Sequence, residues 1–210
     1  VAAPSNTTSR LEAFSDGVLA IAITLLILEV HVPHVRNGKL ADALADQWPS
    51  FASYVVTFLI IGIIWVNHHT LFERIARVDR QLLFLNLLLL LGVAFLPFPT
   101  ALLADYVDEG AANSHVAAAV YGATMTVIGL SFQGLWLHLE RHPDLLVETF
   151  GPTQARRARR GSFIGPVVYT ASIGIAFVSA PACLVLYAGM AIYYVFDWRT
   201  GAKVREKKAG

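Results

Sequence analysis

The sequence predicts an all-α, polytopic membrane protein with six transmembrane helices, both termini cytoplasmic, and a single domain over residues 1–210. Composition is the first reason: 56% of residues are hydrophobic and 15% charged, with a mean hydropathy of +0.57. Soluble domains average about 25% charged residues, so one globular core cannot hide this apolar excess. The second reason is the arrangement of the apolar residues into five regions long enough to cross a bilayer, one of them of double length. The third is the placement of Lys and Arg on one side of those regions.

The first region covers residues 11–32, the second 51–72, the third 81–104 and the fourth 115–139. Ser9 followed by Glu12 has the spacing of a capping box, which starts the first helix near Arg10. The last region, 162–198, holds Pro181 at its middle. Proline removes a backbone donor and clashes with the preceding turn. Behind Ser179 and Ala180 it predicts a tight turn and two short helices, 162–180 and 182–198. Residues 140–161 form the most polar connection and read as a linker.

Orientation follows from the basic residues. Arg10, Arg74, Arg77, Arg80, Arg141, Arg156, Arg157, Arg159, Arg160 and the C-terminal Arg199, Lys203, Arg205, Lys207 and Lys208 fall on one side. Only Arg36 and Lys39 fall on the other. Fourteen against two puts both termini in the cytoplasm, and an even number of spans requires the same. The run Arg156–Arg160 reads as a topology signal against anionic headgroups. With a net charge of +1, the chain lacks the basic surplus of a nucleic-acid binder. The lone Cys183 excludes a disulfide scaffold.

Ionisable groups inside a span cost about 2.5–3.5 kcal/mol each at mid-helix, so they mark places with a reason. Here they gather at the start of helix 1 (Arg10, Phe14-Ser15-Asp16) and the end of helix 2 (Trp65, Asn67-His68-His69). Helix 1 runs outward and helix 2 returns, so both clusters lie at one depth. Arg10, Ser15, Asp16, Asn67, His68 and His69 are therefore expected to form an interhelical network, either a packing tie or a gate support and protonation site.

Further along helix 1, Ile21, Thr24, Leu25 and Leu28 recur at i, i+3, i+4 and i+7 and share one face, with Gly17 below them. Asp16 points roughly 140° away from Ile21. The stripe suits ordinary helix packing, or a central axis in a symmetric assembly, where an apolar ring gates by dewetting. Glu29 ends this half of the helix, either as an exposed interfacial residue or as a negative ring at a cation pathway. Asp42, Asp46, Asp105, Asp108 and Glu109 make the outer loops acidic.

Arg10-xxx-Phe14-Ser15-Asp16, followed by the run Ala20–Glu29, resembles the signature of the transmembrane protein 175 family, the endosomal/lysosomal potassium channels, in its prokaryotic single-repeat form. Trp65-Val-Asn67-His68-His69 is similar to the family's second-helix pattern. The resemblance implies a potassium-selective cation channel that lacks the filter of ordinary potassium channels, and no Thr-Val-Gly-Tyr-Gly segment occurs here. It implies a homotetramer in a prokaryotic plasma membrane, with helix 1 of each subunit lining the pore and K+ as the permeant ion. It implies no cofactor. Carried over, Ile21 forms the narrowest ring and Leu25 and Leu28 further apolar rings, while Thr24 turns a hydroxyl to the ion path. Arg10, Phe14, Ser15 and Asp16, with Trp65, Asn67, His68 and His69, hold helix 1 in place.

The rival readings are weaker. A proton-coupled secondary transporter would use Asp16 and His68/His69 as a relay, yet inverted repeats are absent. A metal enzyme would need ligands at helical spacing, and neither His31-xx-His34 nor His68-His69 belongs to a His-Glu-x-x-His pattern. Ser15 with His68 and Asp16 lacks a hydrolase elbow. The chain reads as no enzyme.

Overall fold

A computed structural model describes residues 6–35, 38–106 and 110–209, with side chains over 8–35, 38–106 and 112–194. Arg36, Asp108 and Glu109 lie outside the described residues, as do the side chains of Arg199, Lys203, Arg205, Lys207 and Lys208. Every regular element described is helical, apart from one isolated antiparallel bridge between Ile75 and Leu146.

Helix α1 (Asn6–Leu25) begins a turn earlier than the Ser9–Glu12 pair predicts and runs on as a 3-10 segment, Leu26–Glu29. The capping box does not form, because Ser9 is exposed inside the helix and the Glu12 carboxylate bonds His69 instead. The expected end at residue 32 is also too late. Val30 is already extended (φ −88°, ψ 100°), and Pro33 biases the residue before it away from helix. A short helix, α2 (Leu40–Asp46), lies where no helix was expected. Helix α3 (Trp48–Phe72) starts three residues early, with Pro49 in its first turn where the missing N–H is harmless.

Helix α4 (Arg80–Phe95) is capped by Asp79, whose side chain accepts from the Leu82 N–H at 2.7 Å. The span then steps at Leu96 into α5 (Pro97–Tyr106), because Pro97 and Pro99 contribute no N–H donors. Helix α6 (Gly110–Arg141) is the longest, at 32 residues, and packs against α4, α5, α7, α8 and α9. The expected linker over 140–161 contains helix α7 (Pro152–Gly161), started by Pro152 and by Gln154 Oε1 accepting from the Gly151 N–H at 3.0 Å.

The double-length region divides into α8 (Ile164–Ala176) and α9 (Ala180–Ala209). The break falls at 177–179, one turn before the expected site. Pro181 lies inside the first turn of α9, and Ser179 Oγ accepts from the Ala182 N–H at 3.3 Å.

Among the described residues, four stretches are long and apolar enough to cross a membrane: Thr8–Glu29, Trp48–Phe72, Arg80–Tyr106 and Ala112–Arg141. The apolar part of α9, Ala180–Tyr194, is shorter. Close approach of α6 and α8 rests on small residues. A Cβ at Gly122 would lie 2.7 Å from Ser172 Oγ, and one at Gly129 would lie 2.8 Å from Pro166 Cγ. Buried hydroxyls pair within the same core: Tyr121 with Thr57 at 2.9 Å, Thr57 with Thr100 at 3.1 Å, and Tyr187 with Ser172 at 3.1 Å.

One end of the bundle collects the arginines. The backbone of Ala76 and Val147 bonds Leu145 and Arg74 across two loops, and Arg74 stacks over the Phe150 ring at 4.6 Å. Glu140 holds Arg159 at 2.8 Å and Arg156 at 3.2 Å. Asp79 Oδ2 accepts from His138 Nε2 at 2.8 Å. Partial burial acts to raise the Asp79 carboxyl, but the Leu82 amide and His138 outweigh it and hold it below its ordinary value.

Candidate functional site

Helix α1 has two unlike faces. Leu11, Ser15, Leu19, Ala22 and Leu26 recur at intervals of three and four and are buried against the rest of the chain. Phe14, Gly17, Ile21, Thr24, Leu25 and Leu28 form the opposite face and are exposed. The contrast is sharp: Leu26 is 0% exposed, while Ile21 is 61% and Leu28 is 68% exposed. The stripe read from the sequence thus has no partner among the described residues. Its one hydroxyl, Thr24, donates to the carbonyls of Ala20 (3.0 Å) and Ile21 (2.9 Å), one turn back. That leaves the oxygen's lone pairs for the exposed side. Glu29 is half-buried at the end of the 3-10 segment.

The buried face is tied to α3 and α4 by polar bonds with determined directions. Ser15 is fully buried, and its hydroxyl donates to the Leu11 carbonyl at 2.8 Å. A carbonyl only accepts, so Ser15 Oγ must accept from Asn86 Nδ2 at 2.9 Å. This orients the Asn86 amide and turns Oδ1 to His68 Nε2, also at 2.9 Å, so that nitrogen is the donor. His68 stacks on Phe72, with ring centroids 4.2 Å apart. Two further ties are separate. Trp65 Nε1 donates to Asp16 Oδ1 at 2.9 Å, and His69 Nδ1 meets Glu12 Oε1 at 3.1 Å. Trp65 and His69 stack on one another.

The expected single network is therefore three ties, and its membership differs from the sequence reading. Ser15, Asp16, Trp65, His68 and His69 take part. Arg10 is exposed and makes no ion pair among the described residues, because α1 begins at Asn6 and carries Arg10 clear of Asp16. Phe14 belongs to the exposed face. Asn67 turns the other way and lines a cavity among α3, α6, α7, α8 and α9. Two residues were missed. Asn86 stands alone among leucines in the third span, a polar signal as clear as any in helix 1, and Glu12 was read as a cap.

The bonds also bear on the chemical readings. Ser15 has its hydroxyl on a backbone carbonyl and Asp16 is held by Trp65, so no Ser–His–Asp relay is assembled. Among the described residues no three His, Cys, Asp or Glu side chains come together as metal ligands.

Among the described residues, a helical bundle with four full-length spans, and a first helix tied by polar bonds on one face and exposed on the other, defines a multi-span membrane protein. The chain belongs to the TMEM175 family of ion channels, which are not enzymes. The profile of the family described as the endosomal/lysosomal potassium channel TMEM175 matches residues 10–97, which include most of α1 and all of α3 and α4. A potassium channel of Streptomyces collinus is 52% identical over 193 residues, covering 91% of this chain and 93% of that protein. The crystal structure of a lysosomal potassium-selective channel TMEM175 homolog from Chamaesiphon minutus superposes with a TM-score of 0.80 at 37% identity, covering 92% of this chain and 98% of that one. The endosomal/lysosomal proton channel TMEM175 of Homo sapiens is 40% identical over 97 residues, 42% of this chain and 19% of that protein.

Proposed function

We propose that this chain is the subunit of a homotetrameric, potassium-selective cation channel in a prokaryotic plasma membrane, with α1 of each subunit around the central axis. The observation that carries this reading is the unpartnered face of α1, which lies opposite the face tied to α3 and α4. Four copies of Ile21 form the narrowest apolar ring, and Leu25 and Leu28 form wider ones toward the outside. Such rings gate by dewetting rather than by a cage of backbone carbonyls. Four Thr24 oxygens offer lone pairs that replace part of the hydration shell of K+, and Glu29 adds negative charge at the outer mouth. Ser15, Asp16, Trp65, His68 and His69 position the helix and do not touch the ion.

In this reading six helices cross the bilayer and both termini are cytoplasmic. Helix α8 has 13 residues and rises about 20 Å in a hydrocarbon core about 30 Å thick, so its crossing needs the flanking residues and a locally thinned bilayer. An out-and-back path through α8 and α9 is required if α7 and the C-terminal basic run lie on one side.

The human relative's name makes proton conduction the second reading. Reversal potentials of the protein in liposomes, under K+, Na+ and pH gradients in turn, separate the two. A potential that follows the K+ gradient supports potassium conduction, and one that follows only pH supports the proton reading. Uptake in strict stoichiometry with protons overturns both and indicates a transporter.

A further inference from the structure

The third span is broken where its outer half begins. Pro97 and Pro99 supply no N–H, so the carbonyls of Val93 and Phe95 lose their helical partners four residues on, and α4 does not carry α5 rigidly. Helix α5 packs instead against α3, α6 and the 3-10 segment Leu26–Glu29 that ends α1. That segment in turn rests on α3 and α5. What places α5 therefore bears directly on the outer end of α1, which carries Leu28 and Glu29.

A chain of buried hydroxyls ties α5 down. The Thr100 hydroxyl lies 2.8 Å from the Leu96 carbonyl and 3.1 Å from Thr57 Oγ1 on α3, and shares its one hydrogen between them. Thr57 Oγ1 meets the Tyr121 hydroxyl of α6 at 2.9 Å. Tyr121, Thr57 and Thr100 are all buried, so a partner removed here is not replaced by bulk water. Tyr121 stacks on Tyr187 of α9, with ring centroids 4.7 Å apart. Tyr187 bonds Ser172 of α8 and the Ala118 carbonyl of α6, each at 3.1 Å. The chain thus starts among α6, α8 and α9 and ends on Leu96, at the break itself.

We propose that Tyr121, acting through Thr57 and Thr100, is a positioning residue for the outer end of α1 and so for the outer end of the ion path. The consequence for conduction rests on the reading of α1 as the pore helix; the mechanical tie does not. The chain is separate from the bonds of Glu12, Ser15 and Asp16, which hold the other end of the same helix.

Spin-label distances in the purified protein test the proposal, in a Cys183→Ala background and with labelled subunits diluted by unlabelled ones. Leu28→Cys and Val178→Cys, both at exposed positions, report the outer end of α1 against the α8–α9 break. Phe14→Cys with Val178→Cys reports the inner half. Tyr121→Phe and Thr57→Val are each expected to raise the population at a displaced Leu28 distance about two- to tenfold, as loss of one hydrogen bond allows. Thr57→Ser keeps the hydroxyl and is expected to match the wild type, and the Phe14 distance should not respond to any of the three. K+ flux in liposomes should change with the Leu28 distance while the preference for K+ over Na+ stays. A wild-type Leu28 distance in Tyr121→Phe and Thr57→Val overturns the proposal. So do equal shifts of the two label pairs, which would mean general loosening, or a Thr57→Ser that behaves like Thr57→Val. A displaced Leu28 with unaltered flux supports the tie and counts instead against α1 as the pore helix. Should Tyr121→Phe fail to assemble, Thr57→Val against Thr57→Ser decides alone.

Discussion

The two faces of α1 differ in what satisfies them. The buried face is held by donors and acceptors inside the chain: Ser15 to Asn86, Asp16 to Trp65, and Glu12 to His69. The exposed face, from Phe14 through Ile21 to Leu28, finds nothing among the described residues to cover it. Lipid-facing helices also expose apolar residues, and α4 does so with Phe84, Leu87, Leu88 and Leu91. The face of α1 differs in carrying Gly17, Ala20 and Thr24 among the larger residues, a small and partly polar stripe suited to a shared axis. In the proposed tetramer one helix would separate two tasks, with position set on one side and passage on the other. Substitutions on the buried face are then expected to change assembly and stability without changing ion preference. Those on the exposed face are expected to do the reverse.

The largest effect is expected from Ile21→Asn. An amide in the narrowest ring hydrates it, and single-channel or flux measurements should show conductance raised by about an order of magnitude. The melting temperature should stay within the range of an ordinary surface change, about 0.5 kcal/mol. Unchanged conductance would remove Ile21 from the pathway. Next is Asn86→Leu, which leaves the buried Ser15 and His68 without their shared partner. At about 1–3 kcal/mol per stranded group, thermal denaturation should show a loss of roughly 2–6 kcal/mol and a lower yield of assembled protein. Reversal potentials of the surviving assembly should not move.

Asp16→Ala removes the acceptor of the Trp65 bond, and a hydrogen bond to a charged group is worth about 1.5–3 kcal/mol. A lower yield of assembled protein with unchanged ion preference is expected on size-exclusion chromatography and flux assay. A shift in selectivity would place Asp16 in the ion path and break the division between the faces. The smallest effect is expected from Asp79→Asn, remote from both faces. The Asp79 carboxyl is held below its ordinary value, so its contribution is present above that value and fades as pH falls through the depressed one. The stability difference between wild type and Asp79→Asn should therefore be full near neutrality and shrink in acid, as read by melting temperature against pH.

What the sequence made legible follows the same physics. The four full-length spans could be read because an apolar run of that length has few other uses. The face of α1 could be read because its period is helical. Arg10 was assigned to the network because a charge inside a span demands a partner, but the helix starts early enough to leave Arg10 exposed. Asn86 was overlooked because it is uncharged, although a buried amide needs partners just as strictly. Helix α7 was hidden because Pro152, Gln154 and four arginines read as a linker, while only Ala155 faces inward fully buried. The break between α8 and α9 was misplaced by one turn because Pro181 starts a helix there rather than ending one. Asn67 lay within the right motif but turned to another face, and a motif carries no direction.

A pore-lining α1 requires its exposed face to border water in the assembled protein. Cys183 is buried and is the sole cysteine, so Cys183→Ala gives a background without reactive thiols. In that background, Leu28→Cys and Leu26→Cys place a thiol on the exposed and the buried face two residues apart. A charged, membrane-impermeant thiol reagent applied from outside is predicted to modify Leu28→Cys and block its current while leaving Leu26→Cys untouched. An unmodified Leu28→Cys, or equal modification of both, would mean that the exposed face does not line a water-filled path.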